Sequence, residues 1–125
     1  MNRKEYAVEK FRKDCNCCQA VLCAFADEAG EEEMKKLGAA FGLGMGNMEG
    51  TCGALVAAEM LLGLKRYEGK SLLKQARAVS EMFKLYTGAT LCKDIKGRDT
   101  GKVLCSCEDC VRNAVTICES GLYKK

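Results

Sequence analysis

Apolar residues recur every three or four positions along most of the chain, which is the pattern of amphipathic α-helices. The segment 51–64 is apolar on almost every side, and this predicts the central, most buried helix. Shorter charged helices are expected at Arg3–Lys13 and at 31–41, with Gly30 ending the helix before the latter. The clearest helical stripes lie in three further segments, 16–29, 70–86 and 107–122.

No segment alternates between apolar and polar residues as a half-buried strand does. The pattern therefore predicts a single all-α domain over residues 1–125, a compact bundle of five or six helices. A glycine-rich loop is expected to lead into the central buried helix.

The composition excludes several kinds of site. The 125 residues include ten cysteines but no histidine and no proline. Without histidine there can be no Ser/His/Asp or Cys/His catalytic centre, no histidine-ligated haem and no Cys/His zinc finger. The formal net charge is only +3, with basic and acidic residues interspersed, so we expect no nucleic-acid partner.

Nothing in the sequence directs the chain to a membrane. The first residues are charged and contain no apolar stretch like that of a signal peptide. The longest apolar run, 52–64, is too short for a membrane span and contains Glu59. We expect a cytoplasmic protein without membrane insertion, whose cysteines are metal ligands or redox thiols rather than disulfides.

Four cysteines follow residues that commonly cap helices, so we expect them in first helical turns. The positive end of the helix dipole stabilises an anion there and predicts a lowered thiol pKa. A thiolate is both the nucleophile of thiol chemistry and a metal ligand. The four candidates for one shared site are Cys17 after Asn16, Cys52 after Thr51, Cys92 two residues after Thr90, and Cys107 after Ser106.

The other six cysteines divide into packing residues and neighbours of the candidates. Cys118 lies on the apolar face of the last predicted helix, and Cys23 is expected to pack against a second helix or subunit. Two C-x-x-C pairs, at 15/18 and 107/110, could together form a four-cysteine zinc site. The alternates to the four candidates are Cys15, Cys18, Cys105 and Cys110.

A glycine-rich segment spans residues 42–53. It contains neither the Gly-Lys-Ser/Thr of a P-loop nor G-x-G-x-x-G. Because glycine permits positive φ and close backbone approach, we expect Gly44, Gly46 and Gly53 to wrap a compact ligand. A flexible connection between helices is the alternative. The segment leads to Cys52, the best candidate nucleophile if the protein is a thiol enzyme, and the carboxylates of interest beside it are Glu49 and Glu59.

Several of these residues resemble the C_GCAxxG_C_C family of small bacterial and archaeal redox-active proteins, which share four cysteines. The Asn-Cys-Cys-Gln-Ala-Val-Leu segment at 16–22 resembles the family's Asn-Cys-x-Gln-Ala-Val-Leu opening. The family's central Gly-Cys-Ala-x-x-Gly motif is matched in its residue content but not in its order, because this chain reads Cys52-Gly53-Ala54. Ala57 stands at the position of the motif's last glycine. Cys92, which follows Tyr86-Thr-Gly88, resembles the third family cysteine, and Cys107 with Val111 and Ala114 resembles the fourth.

The resemblance implies redox activity and, as in related domains, an iron–sulfur cluster held by Cys17, Cys52, Cys92 and Cys107. Helix N-termini would stabilise such an anionic cluster. Two alternatives stay open, a metal-free dithiol oxidoreductase with Cys52 as nucleophile and a four-cysteine zinc module. We expect an electron donor or acceptor protein as partner, and the apolar helix faces favour a homodimer.

Overall fold

The computed structural model describes residues 1–27 and 29–124. This part of the chain contains no β-strand, and its one β-type contact is an isolated bridge between Thr51 and Leu91. The all-α prediction is confirmed, with more helices than the expected five or six. The described residues form seven right-handed α-helices: α1 Arg3–Lys13, α2 Cys17–Ala24, α3 Glu31–Gly38, α4 Gly53–Arg66, α5 Leu73–Thr87, α6 Cys92–Lys96 and α7 Cys107–Cys118, followed by a short 3-10 helix, Gly121–Tyr123.

Helix α1 has the bounds that the sequence predicts, because Asn2 caps it. The side-chain oxygen of Asn2 accepts a hydrogen bond of 2.9 Å from the backbone N–H of Glu5. A cap of this kind satisfies one of the backbone donors that a helix start leaves free. Helices α4, α5 and α7 also lie within a few residues of their predicted segments.

Helix α2 is shorter than the predicted 16–29. It ends at Ala24, and Ala29 lies outside the helix and is exposed. Glu28, which the prediction included, lies outside the described residues. Gly30 does not end α2 but is the N-cap of α3, with a φ of 84° that suits glycine.

The core forms around α2 rather than around α4, so the prediction of the central helix is wrong. Six of the eight α2 residues are buried, whereas α4 buries seven of its fourteen. Helix α2 packs against α1, α3, α4 and α7. Small side chains such as Ala20 and Ala24 let these neighbours approach α2 from several sides.

Two cysteines are packing residues, as the sequence predicts. Cys118 is 3% exposed and lies in the core with Tyr123, whose hydroxyl donates a 2.7 Å hydrogen bond to the carbonyl of Ala58. Cys23 is equally buried and contacts the start of α3, where its thiol lies 3.9 Å from the carbonyl oxygen of Glu31.

The longest helix, α5, has fifteen residues. In the described part of the chain, none of the helices has both the length and the apolar character that crossing a membrane requires.

Glu59, in the middle of α4, makes the stability of the fold depend on pH. Partial burial raises the pKa of its carboxyl from 4.5 to about 7. Between these two values the folded chain holds a proton that the unfolded chain releases. The free energy of unfolding should therefore fall as the pH rises from about 4.5 to about 7.

The substitution Glu59→Gln removes the ionised form, so it should stabilise the protein only above this window. We expect a gain of about 1–2 kcal/mol near pH 8, less than the full shift implies because the carboxyl is partly solvated, and no gain near pH 4. Urea denaturation at the two pH values measures both quantities. An equal gain in stability at both pH values would show that Glu59 does not have a raised pKa in the folded protein.

Candidate functional site

Six of the ten cysteines line one cavity inside the bundle. The cavity has a volume of about 220 Å³, and its only lining residues with polar or charged side chains other than thiols are Asn16 and Lys96. The structure thus brings the four candidate cysteines together with two alternates. Cys15 and Cys18 do not line the cavity and are buried elsewhere. The lining cysteines are Cys17, Cys52, Cys92, Cys105, Cys107 and Cys110, all of them as free thiols.

Four helices begin at this cavity. Cys17, Cys92 and Cys107 are the first residues of α2, α6 and α7, and Cys52 is the N-cap of α4. The free N–H groups and the positive dipole ends of these helices therefore lie near the sulfur atoms. Such a site favours a group that carries negative charge.

Two of the expected caps are present at these helix starts. Asn16 accepts a 2.8 Å hydrogen bond from the backbone N–H of Gln19, whose side chain accepts one of 2.9 Å from the backbone N–H of Asn16. Ser106 accepts a 3.1 Å bond from the N–H of Asp109. Thr51 and Thr90, by contrast, do not cap their helices. Cys52 and Leu91 occupy the N-cap positions, and neither side chain makes a capping bond.

The glycine-rich segment makes a left-handed turn beside the cavity, at Gly42–Met45. Leu43, which lines the cavity, has a φ of 52°, and Met45 has a φ of 63°. These values are rare for residues other than glycine and cost about 1–2 kcal/mol each. The chain thus accepts strain at the place where Leu43 covers the thiols.

Two glycines of this segment allow the backbone to approach the thiols closely. A Cβ on Gly44, whose φ is 55°, would collide with the Cβ of Cys92. A Cβ on Gly53 would stand 2.6 Å from both the Sγ of Cys17 and the carbonyl oxygen of Phe41. Gly46 is exposed, and nothing lies within 4 Å of the place where its Cβ would stand.

The thiols of the cavity perturb one another electrostatically. Such coupling links Cys17 to Cys52, Cys52 to Cys110, and Cys105 to Cys110. Against the upward shifts caused by neighbouring thiols and burial, the backbone N–H groups of Leu43 and Cys18 act to lower the pKa of Cys17, and that of Ala54 acts to lower the pKa of Cys52. Backbone donors of this kind stabilise negative charge on sulfur.

Lys96 supplies a positive charge in the wall of the cavity. Its ammonium group donates a hydrogen bond to the Sγ of Cys107. Burial acts to lower the pKa of Lys96, but the bond to Cys107 and the surrounding sulfurs raise it above its ordinary value. Lys96 is therefore charged at neutral pH. Sequence reasoning missed this residue, although its position four residues after Cys92 places both on one face of α6.

The expectation of lowered thiol pKa values is wrong for three of the candidates. The thiol of Cys52 raises the pKa of Cys17, the thiol of Cys110 raises that of Cys52 to about 12, and burial raises that of Cys92. A helix dipole contributes only about 0.3–1 kcal/mol, less than one pKa unit. Cys52 is also only 7% exposed, which argues against it as a nucleophile at neutral pH.

The two carboxylates of interest lie away from the thiols. Glu49 is exposed and forms ion pairs of 3.3 Å with Lys93 and 3.0 Å with Arg98, which tie the glycine-rich segment to α6 and the residues after it. Glu59 does not line the cavity. Within residues 1–27 and 29–124, no three Cys, Asp or Glu side chains are arranged to hold a single metal ion.

Comparison with known proteins identifies a family for this chain. The model of a family described as "Putative redox-active protein (C_GCAxxG_C_C)" matches residues 15–120. This span includes all ten cysteines. Searches of curated proteins and of solved structures found no match.

Proposed function

Because the chain belongs to the C_GCAxxG_C_C family, whose description is of redox-active proteins, we propose that it binds an iron–sulfur cluster in the thiol-lined cavity and serves in electron transfer or redox sensing. The ligands are Cys17, Cys52, Cys92 and Cys107. The observation that carries the proposal is the convergence of six thiols and four helix starts on one cavity.

The residues around the cavity fit such a group by their chemistry. Cysteine thiolates are the usual ligands of both [2Fe–2S] and [4Fe–4S] clusters. The cavity of about 220 Å³ has room for more than one ion, since a water molecule accounts for only about 30 Å³. Its other walls are largely apolar, with Phe11, Leu43 and Ile95 among them, and these side chains exclude water.

Position along the helices favours four of the six thiols as the cluster ligands. Cys17, Cys52, Cys92 and Cys107 come from four different helix starts, one from each. Cys105 and Cys110 instead flank the start of α7, which already supplies Cys107. Thiolates held at separate helix starts receive the free backbone donors of those helices.

The raised thiol pKa values describe the site without a bound cation. Crowded thiols resist ionisation, because each new thiolate lies beside other sulfurs. A coordinated metal removes this cost, since it deprotonates its thiol ligands outright. When bound, an iron–sulfur cluster would supply reversible electron transfer at this position.

The chain's own groups would set how readily the site accepts an electron. The ammonium of Lys96 and the backbone N–H groups that point at Cys17 and Cys52 all favour added negative charge. Hydrogen bonds to sulfur and burial are among the factors that set cluster potentials. The partner in this proposal is an electron donor or acceptor protein.

Anaerobic purification tests the proposal. We expect a coloured protein with iron and acid-labile sulfide in similar amounts and with visible absorbance that bleaches on reduction. A colourless, iron-free protein with an intact helical circular dichroism spectrum would refute it. Zinc recovered in place of iron, without sulfide, would instead support the four-cysteine zinc module.

A further inference from the structure

Two cysteines beside the proposed cluster ligands are brought together by the cap of α7. Ser106 is the N-cap, so Cys105 stands one residue before it and Cys110 occupies the fourth helical position. Side chains at these two positions pack on each other in the hydrophobic staple, which fixes how a chain enters a helix. Here both are thiols, and both line the thiol-lined cavity.

The two thiols differ in their access to solvent. Cys110 is 2% exposed and lines the inner, thiol-lined cavity but not the outer pocket described next. Cys105 is half-buried and lines both that cavity and an open outer pocket of about 560 Å³. Cys105 therefore stands between the surface and the interior, with Cys110 directly behind it.

The outer pocket has the volume of a small-molecule site and a mixed polar and apolar lining. Its volume lies within the range of about 300–1,000 Å³ that is usual for ligand pockets. Ser106, Asn113 and Thr116 provide hydrogen-bonding side chains, while Tyr86 and Val103 provide apolar surface. The amide of Asn113 also lies 3.9 Å from the Sγ of Cys105, within hydrogen-bonding range for sulfur.

We propose that Cys105 and Cys110 are a second redox centre, a dithiol that reduces a low-molecular-weight disulfide bound in the outer pocket. A half-buried attacking sulfur that opens on the pocket, with a second sulfur behind it, is an arrangement that lets thiol–disulfide exchange run to completion. This reaction goes beyond the proposed cluster and does not depend on it.

The exchange proceeds in two balanced steps. Cys105 releases its proton to solvent and attacks one sulfur of the substrate R–S–S–R. The substrate S–S bond breaks, a mixed disulfide forms on Cys105, and the departing thiolate takes up a proton. Cys110 then loses its proton and attacks the Sγ of Cys105. The second thiolate leaves and is protonated, and a Cys105–Cys110 disulfide remains. Two electrons have passed from the protein thiols to the substrate.

Glutathione disulfide, added to the anaerobically purified full chain, is the probe. The reaction is run near pH 8.5, because the thiolate is the attacking species, and is stopped with N-ethylmaleimide. Tryptic peptide 103–112 contains Cys105, Cys107 and Cys110, so mass spectrometry of this peptide reads the outcome. We expect it to lose two hydrogens as the disulfide forms, with release of two molecules of reduced glutathione per chain.

Variants assign the roles. Cys110→Ser, or Cys110→Ala if the serine variant does not fold, should stop at the mixed disulfide, with one glutathione on Cys105. Cys105→Ser should form neither product, and the control Cys118→Ser should behave as the unsubstituted protein. Fragmentation of the peptide from the unsubstituted chain should place the one remaining N-ethylmaleimide group on Cys107, which assigns the disulfide to Cys105 and Cys110.

The proposal is overturned if the unsubstituted chain forms no disulfide in this peptide. It also fails if the Cys110 variants carry glutathione on Cys107 instead of Cys105, or if the remaining N-ethylmaleimide group lies on Cys105 or Cys110. None of these readouts uses iron, so failure of the dithiol and failure of the cluster are distinguishable.

Discussion

Replacing Cys52 by alanine is expected to lower the iron retained after anaerobic purification by at least about tenfold, since loss even of outer contacts to metal ligands costs about 10–100-fold in affinity. Cys52 is the N-cap of α4 and lies in the middle of the coupled thiols, between Cys17 and Cys110. No histidine is available to replace it as a ligand. Iron and sulfide analysis together with the visible spectrum measures the effect.

Cys118→Ala is the matched control. Cys118 is as deeply buried as Cys52, at 3% against 7% exposed, but it packs against Tyr123 and does not line the cavity. The control should keep its iron and lose only a little stability from the small cavity it creates. If both variants retained iron equally, Cys52 would not be a ligand. If both lost it equally, the loss would reflect packing rather than ligation.

Gly53→Ala should destabilise the protein by about 1–3 kcal/mol and disturb the thiol-lined cavity. The added methyl group would stand 2.6 Å from the sulfur of Cys17 and 2.6 Å from the carbonyl of Phe41. The Phe41 carbonyl belongs to the backbone, so relief requires a shift of the chain that enters the glycine-rich segment. Urea denaturation of the metal-free protein measures the loss of stability, with no contribution from a bound group.

At Gly63, on the same helix, replacement of glycine by alanine should change the free energy of unfolding in the opposite direction. Nothing lies within 4 Å of the place where a Cβ on Gly63 would stand. Alanine is favoured over glycine in a helix interior by about 0.5–1 kcal/mol, so Gly63→Ala should stabilise the protein. Equal effects at the two glycines would mean that helix propensity, and not the contact with Cys17, controls the result.

Periodicity predicted the long helices well because burial of one face controls both the sequence and the structure. It failed at the end of α2, where Phe25 continues the apolar pattern. Phe25 is only 5% exposed, yet its φ of −119° and ψ of 26° place it outside the helix. Apolar spacing reports burial and not backbone conformation. Helix α6, with five residues, is too short for any periodicity to show.

The part of the candidate site that depends on helix capping could be predicted from the sequence. Asn16 and Ser106 cap their helices as their residue types suggest, which locates Cys17 and Cys107. The staple that joins Cys105 to Cys110 follows from the same cap, although the sequence alone left both as alternates. The contact of Lys96 with Cys107 and the positive φ of Leu43 depend on tertiary packing, which no local pattern reports.

For the proposed cluster, the four helix starts at the cavity would also determine when it can be inserted during biogenesis. The proposed ligands come from four segments that are far apart in the chain, and each arrives with its own helix. Before those helices have docked, closing the intervening loops costs entropy that a metal would have to overcome. The complete set of four proposed ligands is therefore assembled only in the folded chain, and loading of the cluster should follow folding. In a cell, this order would leave the choice of metal to whatever delivers it to the finished fold.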